Sequence, residues 1–341
     1  MFNIWITLIQ IVVVFGVTML GIMVCIYLER RVSAFLQDRL GPNRTGPKGL
    51  LQPIADGIKF FMKEDIIPDF VIRWLYILSP GILMAPALLG IAVIPFGKPF
   101  ELFGYTIPMQ IADLNIGILY ILAMTSIGIY GLVLGGWSSN SKYPLLGGLR
   151  SSAQMISYEL TMGLAIVSVL MATGSMLMSD IVAEQMQNGW FIWRQPLAFV
   201  LFWIAIFAET NRLPFDMTEA EQELVGGYHT EYSSMKFAMF FMGEYASMIT
   251  VSALITTLFL GGWAVPFVSL ETLDSFGIWG TLLSVASFVA KTGFFILVYI
   301  WVRWTLPRFR YDQLMRLGWK VLLPIALFNI VLTGILMAVW K

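Results

Sequence analysis

The sequence has very few of the residues that hold metals and haem. It contains one cysteine, Cys25, and one histidine, His229, among 341 residues. An iron–sulfur cluster or a zinc site needs several cysteine or histidine ligands, and a bis-histidine haem needs two histidines. The sequence also has no dinucleotide-binding loop. We therefore expect no bound metal, haem, flavin or iron–sulfur cluster in this chain.

Charge is scarce as well. Asp, Glu, Lys and Arg make up 12% of the residues, against roughly 25% in an average soluble domain. The 21 basic and 21 acidic residues cancel, which argues against a nucleic-acid partner. Apolar residues make up 58%, and several uncharged runs are long enough to cross a hydrocarbon core of about 30 Å. These runs are 1–28, 74–97, 114–141, 160–179 and 321–340. The sequence therefore predicts an all-α polytopic membrane protein, with 1–341 as a single integral membrane domain.

Eight candidate spans follow from the apolar runs. They are 3–28, 74–95, 114–135, 154–177, 195–208, 237–263, 281–302 and 321–340. The fifth is short, because 14 residues at about 1.5 Å each cover only roughly 21 Å. With all eight spans, 17 lysines and arginines lie on one side and three on the other, whereas omission of the fifth gives 11 against 9. Because basic residues accumulate on the cytoplasmic side, we predict eight spans with both termini outside. The cytoplasmic loops are then 29–73, 136–153, 209–236 and 303–320.

The cytoplasmic loops combine charge with apolar residues. Within the first, the spacing of apolar side chains over 49–61 predicts an amphipathic helix along the membrane interface. The third loop, 209–236, carries six carboxylates and two basic residues. Such loops are either solvated surfaces or docking surfaces for other proteins, and the pattern alone leaves both open.

Three acids lie at similar depth inside the predicted spans. They are Glu159, Glu209 and Glu244, while Lys291 lies near the centre of the seventh span. A charge at the bilayer centre costs at least roughly 2.5–3.5 kcal/mol on insertion scales, so such residues usually mark an ion or proton path. Tyr130 could extend this path with its hydroxyl. The alternative is that the acids form static ion pairs with Lys291 or with loop arginines.

Four long motifs in order, together with the apolar runs between them, resemble the H subunit family of bacterial NADH-quinone oxidoreductases, the counterpart of mitochondrial complex I subunit 1. The motifs are LERRVSAFLQDRLGPNRTGPKGLLQPIADGIKFFMKE, LLGGLRSSAQMISYEL, AETNRLPFDMTEAEQELVGGYHTEYSSMKFAMFFMGEY and PRFRYDQLMRLGWK. The resemblance covers essentially the full chain. It implies a membrane subunit, without redox centres of its own, of a proton-translocating enzyme in the bacterial cytoplasmic membrane. It also implies a substrate, either ubiquinone or menaquinone.

The resemblance assigns roles to particular residues. It implies that the loops help to build a quinone chamber from Glu29, Arg30, Arg39, Asp56, Lys59, Lys63, Glu64, Arg212, Asp216, Glu219, Glu221, Glu223, Glu231, Tyr232, Arg303, Arg308, Arg310 and Asp312. It implies a proton path through Glu159, Glu209, Glu244 and Lys291. We hypothesise that Glu219, Glu221 and Glu223 sense quinone chemistry and pass it to the buried acids.

The same resemblance implies partners. These are the soluble subunits of the quinone site, the subunit with the terminal cluster, and small membrane-arm subunits. The alternatives are the membrane anchor of a related energy-converting hydrogenase, a ferredoxin-linked relative, a freestanding ion permease, or a passive scaffold. The Gly243-Glu244-Tyr245 sequence argues against the ferredoxin-linked relative, and the complete first motif argues against the hydrogenase anchor.

Overall fold

The computed structural model describes residues 2–102, 105–217, 225–268 and 270–339. The chain is helical over most of this length. The α-helices are α1 (Phe2–Leu36), α2 (Gln52–Met62), α3 (Arg73–Leu89), α4 (Gly117–Ser138), α5 (Lys142–Thr173), α6 (Met178–Asn188), α7 (Phe191–Arg194), α8 (Pro196–Glu209), α9 (Ser234–Phe259), α10 (Leu270–Ser275), α11 (Ile278–Thr305), α12 (Tyr311–Leu317) and α13 (Leu323–Val339). Short 3₁₀ turns cover Pro47–Gly49, Gly90–Val93 and Gly227–His229, and a π-helical turn, Gly318–Leu322, joins α12 to α13.

Seven helices in the described part of the chain are long and apolar enough to cross a membrane. An all-α polytopic membrane protein is therefore confirmed. Several of these helices extend beyond the predicted spans. Helix α1 continues from the apolar run through Glu29 to Leu36, because the Glu29 carboxylate meets arginines from two other segments. Helix α5 begins at Lys142, so most of the predicted loop 136–153 is helical, and α12 lies within the predicted loop 303–320.

The short helix α8 returns along α5 in the opposite direction. Near its start, the Gln195 side chain donates a hydrogen bond to the Ser168 carbonyl oxygen at 2.8 Å. Near its end, the Ala208 carbonyl oxygen accepts one from Gln154 at 2.8 Å. Since Ser168 and Gln154 lie far apart on α5, α8 runs antiparallel to it. Helix α8 coincides with the predicted fifth span but is shorter than the seven described helices that could cross a membrane, so the count of eight spans stays a prediction.

The segment that precedes α8 folds back into the protein. Helices α6 and α7 bury Ile181 and Phe191 completely. The Gln185 side chain donates to the Thr257 carbonyl oxygen at 2.8 Å and accepts from the Gly261 amide at 2.9 Å. Gln185 therefore binds the carboxyl end of α9. The sequence analysis predicted neither helix and did not predict the small antiparallel hairpin of Phe100–Leu102 and Tyr105–Ile107.

The core lies between α5, α8, α9 and α11. Rings from α8 and α9 meet there, with Phe202 and Phe259 centroids 5.6 Å apart, and Phe207 packs 4.2 Å from Tyr299 of α11. Because packing in a bilayer depends on close contact rather than on exclusion of water, this aromatic cluster fixes the ends of α8 and α9. Glu209 and Glu244, which lie on these helices, are thereby held in place.

Candidate functional site

A large groove opens between α1, α2 and the first half of α9. Its volume is about 1210 Å³. The walls are mainly apolar, with Met19, Ile22, Met23 and Ile26 from α1, Ile54, Ile58 and Phe61 from α2, and Ala238, Phe241 and Met242 from α9. Helix α2 is the amphipathic helix predicted over 49–61, and its apolar face turns partly toward this space. The groove is larger than a typical small-molecule pocket of about 300–1,000 Å³.

Charged side chains line part of this mainly apolar groove. They are Glu29, Arg30, Arg39 and Asp56, and we call them the polar lining. Arg30 and Asp56 form an ion pair at 2.7 Å between Nη1 and Oδ2, while Arg39 donates to Gln37 at 2.7 Å. An apolar groove with a few charged groups suits an amphiphilic ligand, whose apolar part fills the groove while its polar part meets the charges.

Glu29 connects the groove to a buried charge network. Its carboxylate pairs with Arg212, at 3.0 Å between Nη1 and Oε2, and with Arg303. It also accepts a hydrogen bond from the Tyr245 hydroxyl at 2.7 Å. Three segments that are distant in the sequence therefore meet at one carboxylate. We call Glu29, Arg212, Glu244 and Arg303 the charge network.

Arg212 is the centre of the charge network. Its Nε lies 2.5 Å from Oε1 of Glu244, and its guanidinium lies 4.4 Å from the centroid of the Tyr245 ring. Burial lowers the pKa of Arg212, but the carboxylates of Glu244 and Glu29 outweigh this effect and raise the pKa above its ordinary value. Arg212 therefore keeps its charge while only 3% of the residue is exposed. Gln154 positions this loop, because it donates to the carbonyl oxygens of Ala208 and Phe215 at 2.8 and 2.7 Å.

Glu159 and Glu209 are the two other acids of the predicted proton path. Glu159 accepts a hydrogen bond from Ser126 of α4, and its carboxylate acts electrostatically on Glu209. Both oxygen atoms of Glu209 are buried, and neither has a hydrogen-bond partner among the residues that the structure describes. A buried carboxyl group without a partner is costly, so its oxygen atoms need either a proton or water.

A small cavity beside Glu209 has room for that water. Its volume is about 30 Å³, and its lining includes Thr125, Ser247 and Thr250. One water molecule needs about 10–15 Å³ of such space, so about two fit. Ser247 follows Glu244 by three residues, or about one helical turn. The cavity therefore extends from Glu209 toward the helix face that carries Glu244.

Proteins with similar amino-acid sequences are named as subunits of the same enzyme. Residues 9–334 match a family model described as NADH dehydrogenase. The chain is 54% identical, over 96% of its length and 94% of the relative's, to the first of the NADH-quinone oxidoreductase H subunits of Geobacter sulfurreducens. It is 51% identical to the same kind of subunit from Cytophaga hutchinsonii, over 94% and 93% of the two chains. It is 50% identical to NADH-quinone oxidoreductase subunit 8 of Rhodothermus marinus, over 99% and 98%. The chain belongs to the H subunit family of NADH-quinone oxidoreductases. The resemblance seen in the sequence is confirmed, and the alternatives of a hydrogenase anchor or a freestanding permease are not favoured.

The structure brings together many of the residues that the resemblance to this family singled out. The groove and the charge network contain Glu29, Arg30, Arg39, Asp56, Arg212, Glu244 and Arg303. Arg308 adds an ion pair with Asp216 at 2.9 Å beside this network. Glu244 therefore does pair with a loop arginine, as the static alternative expected.

Other predicted residues lie elsewhere. Lys59, Lys63 and Glu64 are exposed, and Arg310 pairs with Asp312 at the surface. Tyr130 is 65% exposed and faces out of the bundle, so its position does not support a place in the acid path. Glu219, Glu221 and Glu223 lie outside the described residues.

Lys291 is separated from the acids. Its Nζ bonds the carbonyl oxygens of Leu260, Gly262 and Ala264, which follow the end of α9. Glu244 lies sixteen residues before Leu260, or roughly 24 Å along a helix. Lys291 therefore pairs with none of the three acids.

The sequence reasoning missed several residues that hold the groove in shape. The Ser234 hydroxyl lies 2.9 and 3.0 Å from the carbonyl oxygens of Phe60 and Lys63. The Ser233 hydroxyl accepts from the Ile66 amide at 2.9 Å, and Lys236 pairs with Asp65. These contacts join the end of α2 to the start of α9, and we call them the α2 latch. Tyr232, which the resemblance did single out, is buried outside the groove lining and stacks on Tyr76 at 4.1 Å between centroids.

No group of three or more His, Cys, Asp or Glu residues that could hold a metal ion occurs in the described ranges. The groove has the apolar walls and charged groups that an amphiphile needs, and the carboxyl groups of the buried acids can hold protons.

Proposed function

We propose that this chain forms a wall of the quinone chamber in a proton-translocating NADH-quinone oxidoreductase and couples quinone reduction to proton movement. Its relatives are named as H subunits of NADH-quinone oxidoreductase. The observation that carries the proposal is the groove of about 1210 Å³ between described residues. Its lining includes Glu29, whose carboxylate belongs to the buried charge network. The substrate is ubiquinone or menaquinone.

The groove fits the two parts of a quinone. An isoprenoid tail needs an apolar corridor, and Met19, Met23 and Ile58 provide one. The head carries two carbonyl oxygens, which need hydrogen-bond donors. Arg30 and Arg39 lie in the lining and have N–H groups beyond those that bind Asp56 and Gln37. The tail then lies between α1 and α2.

Reduction of the quinone would change the charge beside Glu29. The reaction adds two electrons and two protons, so the quinone head carries negative charge only after the electrons arrive and before the protons are taken up. Such a charge next to a carboxylate shifts its pKa by about 1–3 units. Glu29 shares Arg212 with Glu244. If the ion pair between Arg212 and one carboxylate weakens, the ion pair with the other carboxylate therefore strengthens. From Glu244 the cavity beside Ser247 leads toward Glu209 and then Glu159. Glu219, Glu221 and Glu223 remain candidates for the sensing step.

The proposed setting is the bacterial cytoplasmic membrane. The distribution of lysine and arginine supports an orientation with the loops inside and both termini outside. Electron carriers belong to other subunits, so we propose contacts with soluble subunits of the quinone site, with the subunit that carries the terminal cluster, and with small membrane-arm subunits.

Gly57 gives a sharp test of the groove. It lies in α2, lines the groove, and has open space where a side chain would project. Leucine is a better helix former than glycine by about 1 kcal/mol, so Gly57→Leu should fold well while narrowing the groove. We expect the KM for a long-tailed quinone to rise about tenfold, equivalent to ~1.4 kcal/mol of binding. NADH oxidation by a water-soluble artificial acceptor should be unchanged.

The matched control is Gly293→Leu. Gly293 also has open space at its Cβ position, but it lies in α11 and does not line the groove. This variant should keep the wild-type KM. Equal KM values in the two variants and the wild-type complex would show that quinone does not enter this groove.

A further inference from the structure

Lys291 makes an unusual set of contacts for a lysine inside a membrane. Its three ammonium protons match three backbone acceptors, the carbonyl oxygens of Leu260, Gly262 and Ala264 at 2.8, 3.0 and 2.6 Å. The ammonium also lies 4.8 Å from the centroid of the Trp190 ring. Carbonyl oxygens and an aromatic face are both typical partners of cations.

The carbonyl group of Leu260 caps the carboxyl end of α9, and those of Gly262 and Ala264 follow in the loop just beyond it. This end of a helix carries a partial negative charge, equivalent to roughly half an elementary charge. Gly261 and Gly262 have positive φ angles of 69° and 54°, which turns the chain back so that its carbonyl groups converge. Without the lysine, converging carbonyl oxygens at a helix carboxyl end would form a binding site for a free cation.

The position of this site relative to the acids suggests what it does. Lys291 precedes Arg303 of the charge network by twelve residues of α11, or about 18 Å. The cavity beside Glu209 reaches Thr250 and Val251 of α9, which lie beyond Glu244 in the direction of Lys291. Between Val251 and Leu260 the helix buries Leu254, Ile255 and Leu258. The cavity therefore extends along α9 in the direction of Lys291. It ends at Val251, nine residues or roughly 14 Å before Leu260, which binds the Lys291 ammonium group.

Of the hydroxyl groups along this stretch, that of Ser252 is buried without a hydrogen-bond partner in the described part of the chain, next to the cavity-lining Val251, and the next two are bonded to the backbone. Thr256 and Thr257 donate to backbone carbonyl oxygens one turn earlier, at 2.8 and 2.9 Å. Beyond them, two side chains from residues 178–194 contact Gly261. Gln185 accepts a hydrogen bond from its amide, and the Trp190 ring lies against its Cα. Carbonyl oxygens attract cations, so an ion that passed Gly261 would be a cation. The three carbonyl oxygens that would bind it are already bonded to the ammonium group of Lys291.

We propose that Lys291 is a tethered cation that seals the subunit against protons at the end opposite the acids. The ammonium fills the carbonyl site, and its fixed positive charge repels a hydronium ion or another cation in surroundings of low dielectric constant. This inference rests on the proposed function, because a seal matters only where protons enter the acids. It assigns Lys291 a role distinct from that of a carrier in the proton path.

The test is passive proton permeability of the intact complex in proteoliposomes. The complex is held without NADH, a pH difference is imposed, and its decay is followed with an internal pH dye. Lys291→Gln keeps hydrogen-bond donors for the carbonyl groups but removes the charge, whereas Lys291→Arg keeps the charge. We expect Lys291→Gln to accelerate the decay about tenfold, the effect of one unit charge at about 10 Å with an effective dielectric constant of about 20. Lys291→Arg should decay at the wild-type rate.

The same preparations give a second measurement. With NADH and quinone present, Lys291→Gln should oxidise NADH at the wild-type rate but build a smaller pH difference per NADH. Equal leak rates in Lys291→Gln and Lys291→Arg would overturn the proposal. Failure of only the Gln variant to assemble would also overturn it, because the charge would then serve folding. The leak assay needs no turnover, so its result is independent of whether Gly57→Leu confirms the quinone groove.

Discussion

Arg212 must remain charged in a place where charge is costly. It is 3% exposed and pairs with two carboxylates, Glu29 and Glu244. Removal of one partner of a buried ion pair typically costs about 3–5 kcal/mol, because the other charge stays buried and unpaired. Here one arginine serves two acids, so its loss leaves Glu244 with Glu29 as a close neighbour of like charge.

We therefore expect Arg212→Gln to impair quinone reduction more than loss of either acid alone. In purified complex, quinone-dependent NADH oxidation should fall at least tenfold, with artificial-acceptor activity retained. Arg212→Lys restores a charge but not the two-sided geometry of the guanidinium, so it should recover activity only in part. Full activity of Arg212→Gln would show that the charge network is dispensable.

His229 gives a prediction of pH dependence. Burial among Tyr228, Phe237 and Phe241 lowers its pKa from 6.5 to about 4. Since the unfolded segment binds a proton first as the pH falls, the contribution of neutral His229 to stability is complete above pH 6.5 and is lost between about pH 6.5 and 4. The slope is at most about 1.4 kcal/mol per pH unit. Hydrogen exchange of residues 225–233 in the complex should therefore speed up at pH 5 relative to pH 7, after correction for intrinsic rates.

His229→Phe is the control for this prediction. It keeps a ring in the aromatic cluster but cannot take up a proton. Exchange in the variant should show no change between pH 7 and pH 5 after the same correction. An identical pH response in both proteins would assign the effect to another group.

At the residue scale, the sequence predicted which acids matter but could not predict their partners. The depth of Glu159, Glu209 and Glu244 within apolar runs was enough to single them out. The pairing of Glu29 with Arg212 joins positions 183 residues apart, and no local pattern encodes such a contact. Tyr245, which donates to Glu29, stands next to Glu244 in the sequence but resembles an ordinary interfacial tyrosine.

At the scale of helices, seven of the eight predicted spans fall on described helices that are long and apolar enough to cross a membrane, and the fifth falls on the shorter α8. The helices extend beyond the predicted spans where charge lies inside a helix. The sequence analysis ended the first span at Leu28, before Glu29, but α1 continues to Leu36 because Glu29 has partners. Helices α6 and α7 were missed because they have only 11 and 4 residues, too few to cross a membrane, and because their packing depends on the distant α9.

The α2 latch controls the position of the groove wall. Two serine hydroxyls and one ion pair join the end of α2 to the start of α9, and each such hydrogen bond is worth about 1 kcal/mol. We expect the double variant Ser233→Ala/Ser234→Ala to let α2 shift. The KM for a long-tailed quinone should rise about fivefold, while kcat stays within about twofold, because the charge network is not touched.

Ser152→Ala is the matched control for the latch. The Ser152 hydroxyl donates within its own helix, to the Leu149 carbonyl oxygen at 3.0 Å, and does not line the groove. Its KM should be that of the wild type. A parallel fall of kcat in the double variant would indicate general damage to the fold rather than displacement of α2.

At the scale of the whole molecule, the groove, the charge network and the buried acids form one series from the polar lining into the bundle. Glu29 belongs to both the groove and the network, and Ser247 lies one turn from Glu244 in the cavity of Glu209. Two-thirds of the most apolar stretch of α9 is buried. This central helix contributes Glu244 and Ser247 to the series. Under the proposed function, this series is the route by which quinone chemistry acts on the buried acids.

The series predicts a common phenotype for the acids within it. Gln is isosteric with Glu and cannot carry a proton, so Glu159→Gln, Glu209→Gln and Glu244→Gln should each depress quinone-linked proton pumping while artificial-acceptor NADH oxidation stays intact. Glu209→Gln should assemble most readily, because this carboxyl group has no partner among the described residues to lose. Glu184→Gln is the control, since Glu184 pairs with Arg194 at 3.2 Å outside the series. Pumping is measured as the pH change per NADH oxidised in proteoliposomes. Wild-type pumping in all three variants would mean that the acids serve packing alone, whereas a defect in Glu184→Gln of the same size would mean that the assay reports assembly instead of proton transfer.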